Sequence, residues 1–288
     1  MNETRPTSTM SGYVAYSTPA LREQILRLGF APTEPRELLA VDAATGAARP
    51  LGQRSCHAVL GRGYIELTAV DMPAPTHHLA TWLARGAGLH ILALGSDAID
   101  AEQARCAAAG LGVTPAARAS RRIEYGERHG EARFEWFMFA PHETPEGLLC
   151  YAHNLTPELV FQSSVQRHPN GALALTEVVV RCAAPEAAGA RWQRLLGIAP
   201  RERAAGLRFE LAGGDAITLC DPGQLRKRFG SQAVEPGGAD CLVASVVRVA
   251  DLGQCEQWLR RSGLEPARCG AQLIVSLPAA GGALMVFH

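Results

Sequence analysis

The sequence predicts an α+β fold: four βαβββ modules, joined two by two into a pair of half-barrels. Three observations predict it. A strand-like apolar run, then a helix-period run, then a glycine occurs four times. Further strand-like runs with Gly-containing turn signals follow each occurrence. Between the second and third stands His168-Pro169-Asn170-Gly171, which neither a strand nor a helix can carry through.

In the first module Tyr13 to Tyr16 reads as the opening strand, and Leu21, Ile25 and Leu28 as the buried stripe of a helix stopping at Gly29-Phe30. Strands are expected near Leu38 to Val41, Ser55 to Leu60 and Tyr64 to Val70. The link Pro73 to Thr76 precedes the second module. There His90 to Leu94 forms the strand, and Ala101 to Ala109 the helix that ends at Gly110. Strands near Arg121 to Tyr125, Arg133 to Phe139 and Leu148 to His153 complete it. The third module opens with Val178 to Val180. Its helix carries Trp192, Leu195 and Leu196 and stops at Gly197; strands follow at Leu207 to Leu211 and Ala216 to Cys220. After a Pro236-Gly237-Gly238 link, the fourth runs from Val243 to Val249 through a helix with Cys255, Trp258 and Leu259, ending at Gly263. It closes with Gln272 to Leu277 and Ala283 to Phe287.

A chain of 288 residues accommodates two domains, placed at 1–167 and 168–288. Lys+Arg and Asp+Glu both number 28, so no charge footprint favours nucleic acid or an anionic membrane. No apolar run approaches the roughly 20 residues of a spanning helix. Met1 to Ser11 lacks the apolar core of a signal peptide. The eight cysteines form no C-x-x-C pair and lie mostly in apolar runs, which fits buried thiols in a reducing cytoplasm. The Gly86-Ala87-Gly88 run precedes a strand and no helix, the wrong order for a dinucleotide loop.

Several motifs carry a family resemblance. They are Leu28-Gly29-Phe30, Gly63-Tyr64-Ile65-Glu66-Leu67, His90 seven residues before Asp97, Ala152-His153-Asn154-Leu155-Thr156-Pro157-Glu158-Leu159, and His168-Pro169-Asn170-Gly171-Ala172. With the repeated modules they resemble the vicinal oxygen chelate superfamily, and within it the glyoxalase-like domain proteins. The resemblance implies metal ligands on first and last strands of paired modules. Carried over, these are Glu66, His90 and His153. The remaining position falls near Ser11 to Tyr13, where no histidine or carboxylate stands. Two imidazoles and one carboxylate would leave open positions on a divalent Fe, Mn, Ni or Zn.

Strand alternation sets Glu66 on one face with Tyr64 and Thr68, and His153 with Tyr151. Tyr64, Trp136 and Tyr151 are the expected substrate contacts, and His57 a possible general base. Each has a plainer reading: a half-exposed strand carboxylate, a rim or core histidine, a core aromatic. His77-His78 reads as the solvated start of a helix. Arg121-Arg122 could hold a substrate carboxylate, although surface exposure is the commoner fate of such a pair. In the second half only Glu177, among Glu177, Thr218, Ala244 and Met285, could bind a metal, so that half reads as a degenerate pair. Two functions follow: a metal-dependent lyase, isomerase or dioxygenase acting on a small oxygenated substrate, or a metal-free protein that sequesters a small hydrophobic ligand. A homodimer is compatible with either.

Overall fold

The first two repeats close into a ring of eight strands. In chain order these are β1 (Thr7–Ala15), β2 (Arg36–Val41), β3 (Ala48–Val59), β4 (Tyr64–Ala69), β5 (Gly88–Gly95), β6 (Ala117–Ile123), β7 (Gly130–Met138) and β8 (Leu148–Asn154). Around the ring the order is β1-β4-β3-β2-β6-β7-β8-β5. β1 runs parallel to β4 and antiparallel to β5, so the opening strands of the two modules meet on one side. On the other side β2 and β6 pair through Leu39 with Ser120 and Ala40 with Ala119. That pairing turns the expected half-barrel into a closed barrel with no free edge. The structure, a computed structural model, describes residues 7–15, 18–42, 44–70, 77–232 and 238–288. Tyr16, the Pro73 to Thr76 link, most of the Pro236 to Gly238 link and the side chains of Ser11 and Tyr13 lie outside the described residues.

The third and fourth repeats supply β9 (Ala172–Arg181), β10 (Arg201–Arg203), β11 (Gly206–Glu210), β12 (Ala216–Cys220), β13 (Cys241–Val249), β14 (Ala267–Cys269), β15 (Gln272–Leu277) and β16 (Ala283–Phe287). Their order is β10-β11-β12-β9-β13-β16-β15-β14. It repeats the ring's order but stays open, because β10 and β14 are three residues each and do not reach one another. Each sheet joins its two modules through antiparallel opening strands, β1 with β5 and β9 with β13.

Of the helices, α1 (Thr18–Arg27), α3 (Ile99–Ala108), α5 (Pro185–Leu196) and α7 (Leu252–Arg261) are the four expected from the pattern. They lie on the outer faces and share one core with both sheets. Leu21, Ile25 and Leu28 of α1, Cys106 of α3, Trp192 and Leu195 of α5, and Cys255 and Leu259 of α7 all belong to it. In α5, Pro185 opens the helix, Glu186 favours its positive end, and Gly197 closes it in the left-handed conformation. Two shorter helices were not marked in the sequence, α4 (Pro157–Val160) and α6 (Pro222–Phe229); α2 (Ala80–Leu83) is the helix expected after His77-His78. No helix among the described residues is long and apolar enough to cross a membrane.

The His168-Pro169-Asn170-Gly171 link is a clamp between the barrel and the second sheet. His168 accepts at Nδ1 from the Ala31 amide (3.1 Å) and donates from Nε2 to the Val59 carbonyl (2.8 Å). Its ring meets Phe30 edge-on. Asn170 donates to the Leu28 carbonyl at 2.9 Å. Gly29 sits between them at φ +86°, where a Cβ would lie 2.6 Å from Trp258 and 2.8 Å from Asn170. Only glycine fits there, which accounts for the Leu28-Gly29-Phe30 motif.

Burial pushes the His168 imidazole down from its ordinary pKa, while the bond to Val59 pulls the other way. Protonating Nδ1 would turn an acceptor into a donor facing the Ala31 amide. The folded-state value is the lower one, so the unfolded chain takes up this proton first. The stabilisation is therefore complete above the unfolded value near 6.5 and is lost as pH falls through the folded value. We expect the unfolding free energy from urea titration to drop between pH 7.5 and 5.5, by up to about 1.4 kcal/mol per pH unit for each such proton. The drop should be shallower in His168→Gln; an unchanged slope in that variant would show that His168 does not carry it.

Candidate functional site

Strand parity decides what faces the barrel lumen. The ladder aligns Tyr64, Glu66 and Thr68 of β4 with Ser55 and His57 of β3 on the inward side. Ala119 and Arg121 of β6, Trp136 of β7, Cys150 and Ala152 of β8, and Ile91 and Ala93 of β5 also face in. Two short helices cap the lumen. α2 brings Trp82 and Leu83 against Ile91, Ala93 and Cys150. α4 brings Val160 against Ile123 and Ala132. Between the caps lies a cavity of about 90 Å³ whose wall is mostly apolar.

Two charged side chains stand in that wall, both almost fully buried, Arg121 at 4% and Glu66 at 6% exposure; His57, at 1%, is the ladder partner of Glu66. Arg121 Nη1 lies 2.6 Å from His57 Nε2. A guanidinium can only donate, so His57 Nε2 accepts and the ring proton sits on Nδ1. Burial, aided by the Arg121 charge, pushes the His57 pKa down to about 4, against the pull of Glu66. Glu66 Oε1 accepts from Thr68 Oγ1 at 3.0 Å, and Ser55 Oγ meets Thr68 Oγ1 at 2.9 Å. Burial alone would raise the Glu66 carboxyl. Its contacts with His57 and Ser55 and the Arg121 charge outweigh that and hold it at about 2. Glu66 Oε1 and His57 Nε2 are 3.7 Å apart. Tyr64 packs edge-on against His57, its phenol pushed up by burial. Phe134 lies under the Arg121 guanidinium, 5.4 Å from ring centroid to Cζ.

Of the seven residues expected at a site, His57, Glu66, Tyr64 and Trp136 come together here. His90, His153 and Tyr151 do not. His90 alternates with the inward-facing Ile91 and so points outward, where its Nε2 contacts the Gly86 carbonyl at 2.9 Å. It borders a separate cavity between barrel and second sheet, beside Arg85 and Arg181. Tyr151 and His153 alternate with the inward-facing Cys150 and Ala152. Tyr151 stacks on Phe137 and donates to the Leu195 carbonyl at the end of α5. His153 pairs on the outer face with Glu135. Arg121, whose alternatives were a substrate carboxylate or the surface, joins the wall, as do His78, set at a solvated helix start, and the unmarked Gln53 and Cys150. His78 stacks on His77 and meets Trp136 edge-on. Burial pushes its pKa down to about 4, with the neighbouring His77 adding to the shift.

The level of Glu66 can be followed around the ring: His57 on one side, then Gly12, Ile91 and Leu148 on the other. The last three offer no donor atom. Two donors remain at that level, and a guanidinium occupies the space at one of them; His78 and the Cys150 thiol also stand in the wall, but among the described residues no three lumen donors come within 4.8 Å of one another. A metal about 2.1 Å from His57 Nε2 would collide with Arg121 Nη1. Its charge would also repel a cation already balanced against Glu66. This donor set does not fit a catalytic metal ion. The described residues do bring Glu146, Cys182 and Asp240 within 4.8 Å of one another outside the barrel. Arg191 and Trp192 already take the Glu146 oxygens.

In the second sheet the equivalent space is filled. α6 opens with a capping box, in which Asp221 accepts from the Gln224 amide and the Gln224 side chain from the Asp221 amide. It drops Leu225 and Phe229 onto Val179, Val246, Ile274 and Val286. Glu177 is held by both Arg228 nitrogens at 2.7 Å, which leaves it no part in binding a metal.

Residues 13–196 match the family model described as "Glyoxalase-like domain", more than half of the chain. The chain belongs to the glyoxalase-like domain family. Among solved structures, this glyoxalase-like protein superposes on a hypothetical protein from Staphylococcus aureus with TM-score 0.62 and 8% identity, covering 98% of this chain and 99% of that one. A triply substituted 4-hydroxymandelate synthase from Streptomyces coelicolor matches at TM-score 0.62 and 13% identity, over 99% and 92% of the two chains. The Mn(II)-bound glyoxalase from Novosphingobium aromaticivorans matches at TM-score 0.55 and 14% identity, over 99% and 82%. Such identities speak for the fold alone. No curated protein matches the sequence.

Proposed function

We propose that this glyoxalase-like protein binds a small oxygenated organic molecule in the barrel lumen. Residues 1–167 would form the binding half and 168–288 the supporting half. One observation carries the reading: a buried Arg121–His57–Glu66 cluster opens onto a cavity whose other walls are Ile91, Ala93, Trp136 and Ala152. Buried charge without a purpose is costly, and an apolar barrel would pack more stably. A cavity that joins an apolar body to a few convergent polar groups is the usual form of a small-molecule site.

Binding is favoured over acid–base turnover. His57, with its pKa pushed down to about 4, and Glu66, held at about 2, are both weak bases near neutral pH. The metal-dependent lyase, isomerase or dioxygenase reading draws support from the Mn(II) in one structural neighbour. Here it would require Arg121 to leave His57. Elemental analysis after incubation with Mn(II), Fe(II), Ni(II) or Zn(II) separates the two. We expect no bound equivalent; one equivalent lost in Glu66→Gln would overturn the metal-free reading. Filling the lumen tests the site itself. Ala152→Leu should abolish thermal stabilisation by short-chain carbonyl and carboxyl compounds while the fold is retained. Stabilisation that persists in this variant would place the site elsewhere.

A further inference from the structure

The open edge of Arg121 says more about the ligand. Nη1 is used by His57, but Nε and Nη2 are buried with no hydrogen-bond partner. These two nitrogens carry the parallel N–H pair on one side of a guanidinium, the edge that receives both oxygens of a carboxylate. The Tyr125 hydroxyl approaches the guanidinium closely enough for Arg121 to favour its ionised form by charge and by hydrogen bonding, but its own proton goes to the Val160 carbonyl at 3.4 Å, and it does not meet Nε or Nη2 at full hydrogen-bond geometry. No ion pair joins Arg121 to Glu66, whose Oε1 is bonded by Thr68. Phe134 fixes the guanidinium plane from one face. Gln53 Oε1 is likewise buried and unpartnered on the cavity wall. Its amide can turn to present N–H groups instead.

We propose that Arg121 is the cationic anchor of the lumen, taking the place a metal ion would have, and that the ligand is a small organic monocarboxylate with an apolar body. This rests on the lumen being the binding site. The carboxylate lies side-on to Nε and Nη2, and its carbon chain packs on Trp136, Ile91 and Ala93. An orphaned pair of buried charged donors is costly until such a partner arrives. A cavity of about 90 Å³ limits the ligand to a few heavy atoms unless side chains move. Three free donor or acceptor groups, on Arg121 and Gln53, suit one carboxylate better than a polyol, which would need several more.

The test is a calorimetric titration with butyrate and with its neutral isostere butyramide. It uses the full chain treated with a chelator, and the variants Arg121→Gln, Arg121→Lys and Ala152→Leu. We expect butyrate to bind at least tenfold more tightly than butyramide, without added metal. Arg121→Gln should lose that preference. Arg121→Lys, which keeps the charge but not the fork, should weaken butyrate about tenfold and covers the case in which Arg121→Gln fails to fold. Equal affinity for the two probes, butyrate affinity unchanged in Arg121→Lys, or a requirement for added metal would overturn the carboxylate assignment. If both probes bind equally and both are blocked by Ala152→Leu, the lumen reading survives and only the carboxylate is lost. If neither probe is affected by Ala152→Leu, both fall.

Discussion

Replacing Glu146 by alanine should lower the unfolding free energy by about 3 kcal/mol, the lower end of the range for breaking a buried ion pair. Glu146 lies in the turn before β8, and its side chain is fully buried. Its carboxylate receives Arg191 through both terminal nitrogens and Trp192 through Nε1 at 3.1 Å. Both partners are on α5, so one carboxylate ties the barrel to the second half. Deleting it strands a guanidinium and an indole N–H inside the shared core. Arg191 keeps a fifth of its side chain exposed (21%) and can turn towards water, which sets the loss at the lower end. Glu146→Gln retains an acceptor for Trp192 and should cost less than half as much. Urea unfolding of the two variants checks this; an unchanged midpoint in Glu146→Ala would show that the halves do not depend on this contact. The same engagement weighs against a metal at the Glu146, Cys182 and Asp240 group. The carboxylate is already engaged, and burial pushes the Cys182 thiol far above its usual range, so no thiolate is at hand.

Phe229→Ala should be of similar size, about 3–4 kcal/mol, because the phenyl ring fills the cup of the second sheet. Phe229 is 1% exposed, packs with Leu225 against strands β9, β13, β15 and β16, and carries Arg228 over its ring at 5.0 Å. Its loss leaves an apolar hole lined by valines and isoleucine, held in shape by a capped helix and a full sheet. Such holes stay dry and take up small hydrocarbons. Benzene should therefore raise the melting temperature of the variant and leave the parent chain unmoved. A loss below about 1 kcal/mol, with no benzene effect, would mean that α6 collapses into the gap.

The repeat was legible because each module repeats its punctuation. Gly29, Gly110, Gly197 and Gly263 end corresponding helices, and all four have positive φ. The break at His168 was legible because Pro-Asn-Gly cannot extend a strand. α6 was missed, yet its signature is Asp221-Pro222 with Gln224 three residues after the cap. The closed ring was not legible, since nothing in Leu38 to Val41 shows which strand it meets across the barrel.

The site was half legible for a reason of parity. A polar-and-apolar strand such as Tyr64 to Ala69 announces its inward side; β5 is apolar on both faces, so His90 could be set on either. Arg121 carried a usable signal. It shares parity with Ala119 and Ile123, while Arg118, Arg122 and Glu124 fall on the exposed side. The arginine with apolar companions is the buried one. His78 could not be placed from its neighbours, because a helix start says nothing about what lies above it.

Closure of the first barrel also has a consequence for the order in which the chain can fold during synthesis. Of the strands of the ring β1 leaves the ribosome first, yet it pairs in parallel with β4 and antiparallel with β5, whose last residue is Gly95. β5 in turn waits for β8, which ends at Asn154. The hydrogen bonds of the opening strand are thus all long-range, and loop-closure entropy is spent before any of them forms. Roughly the first third of the chain must emerge before β1 finds both neighbours, and roughly half before the ring can close. During that interval a nascent chain exposes an unpaired edge that the finished ring conceals, and this is the stage at which misassembly with a neighbouring chain is most accessible.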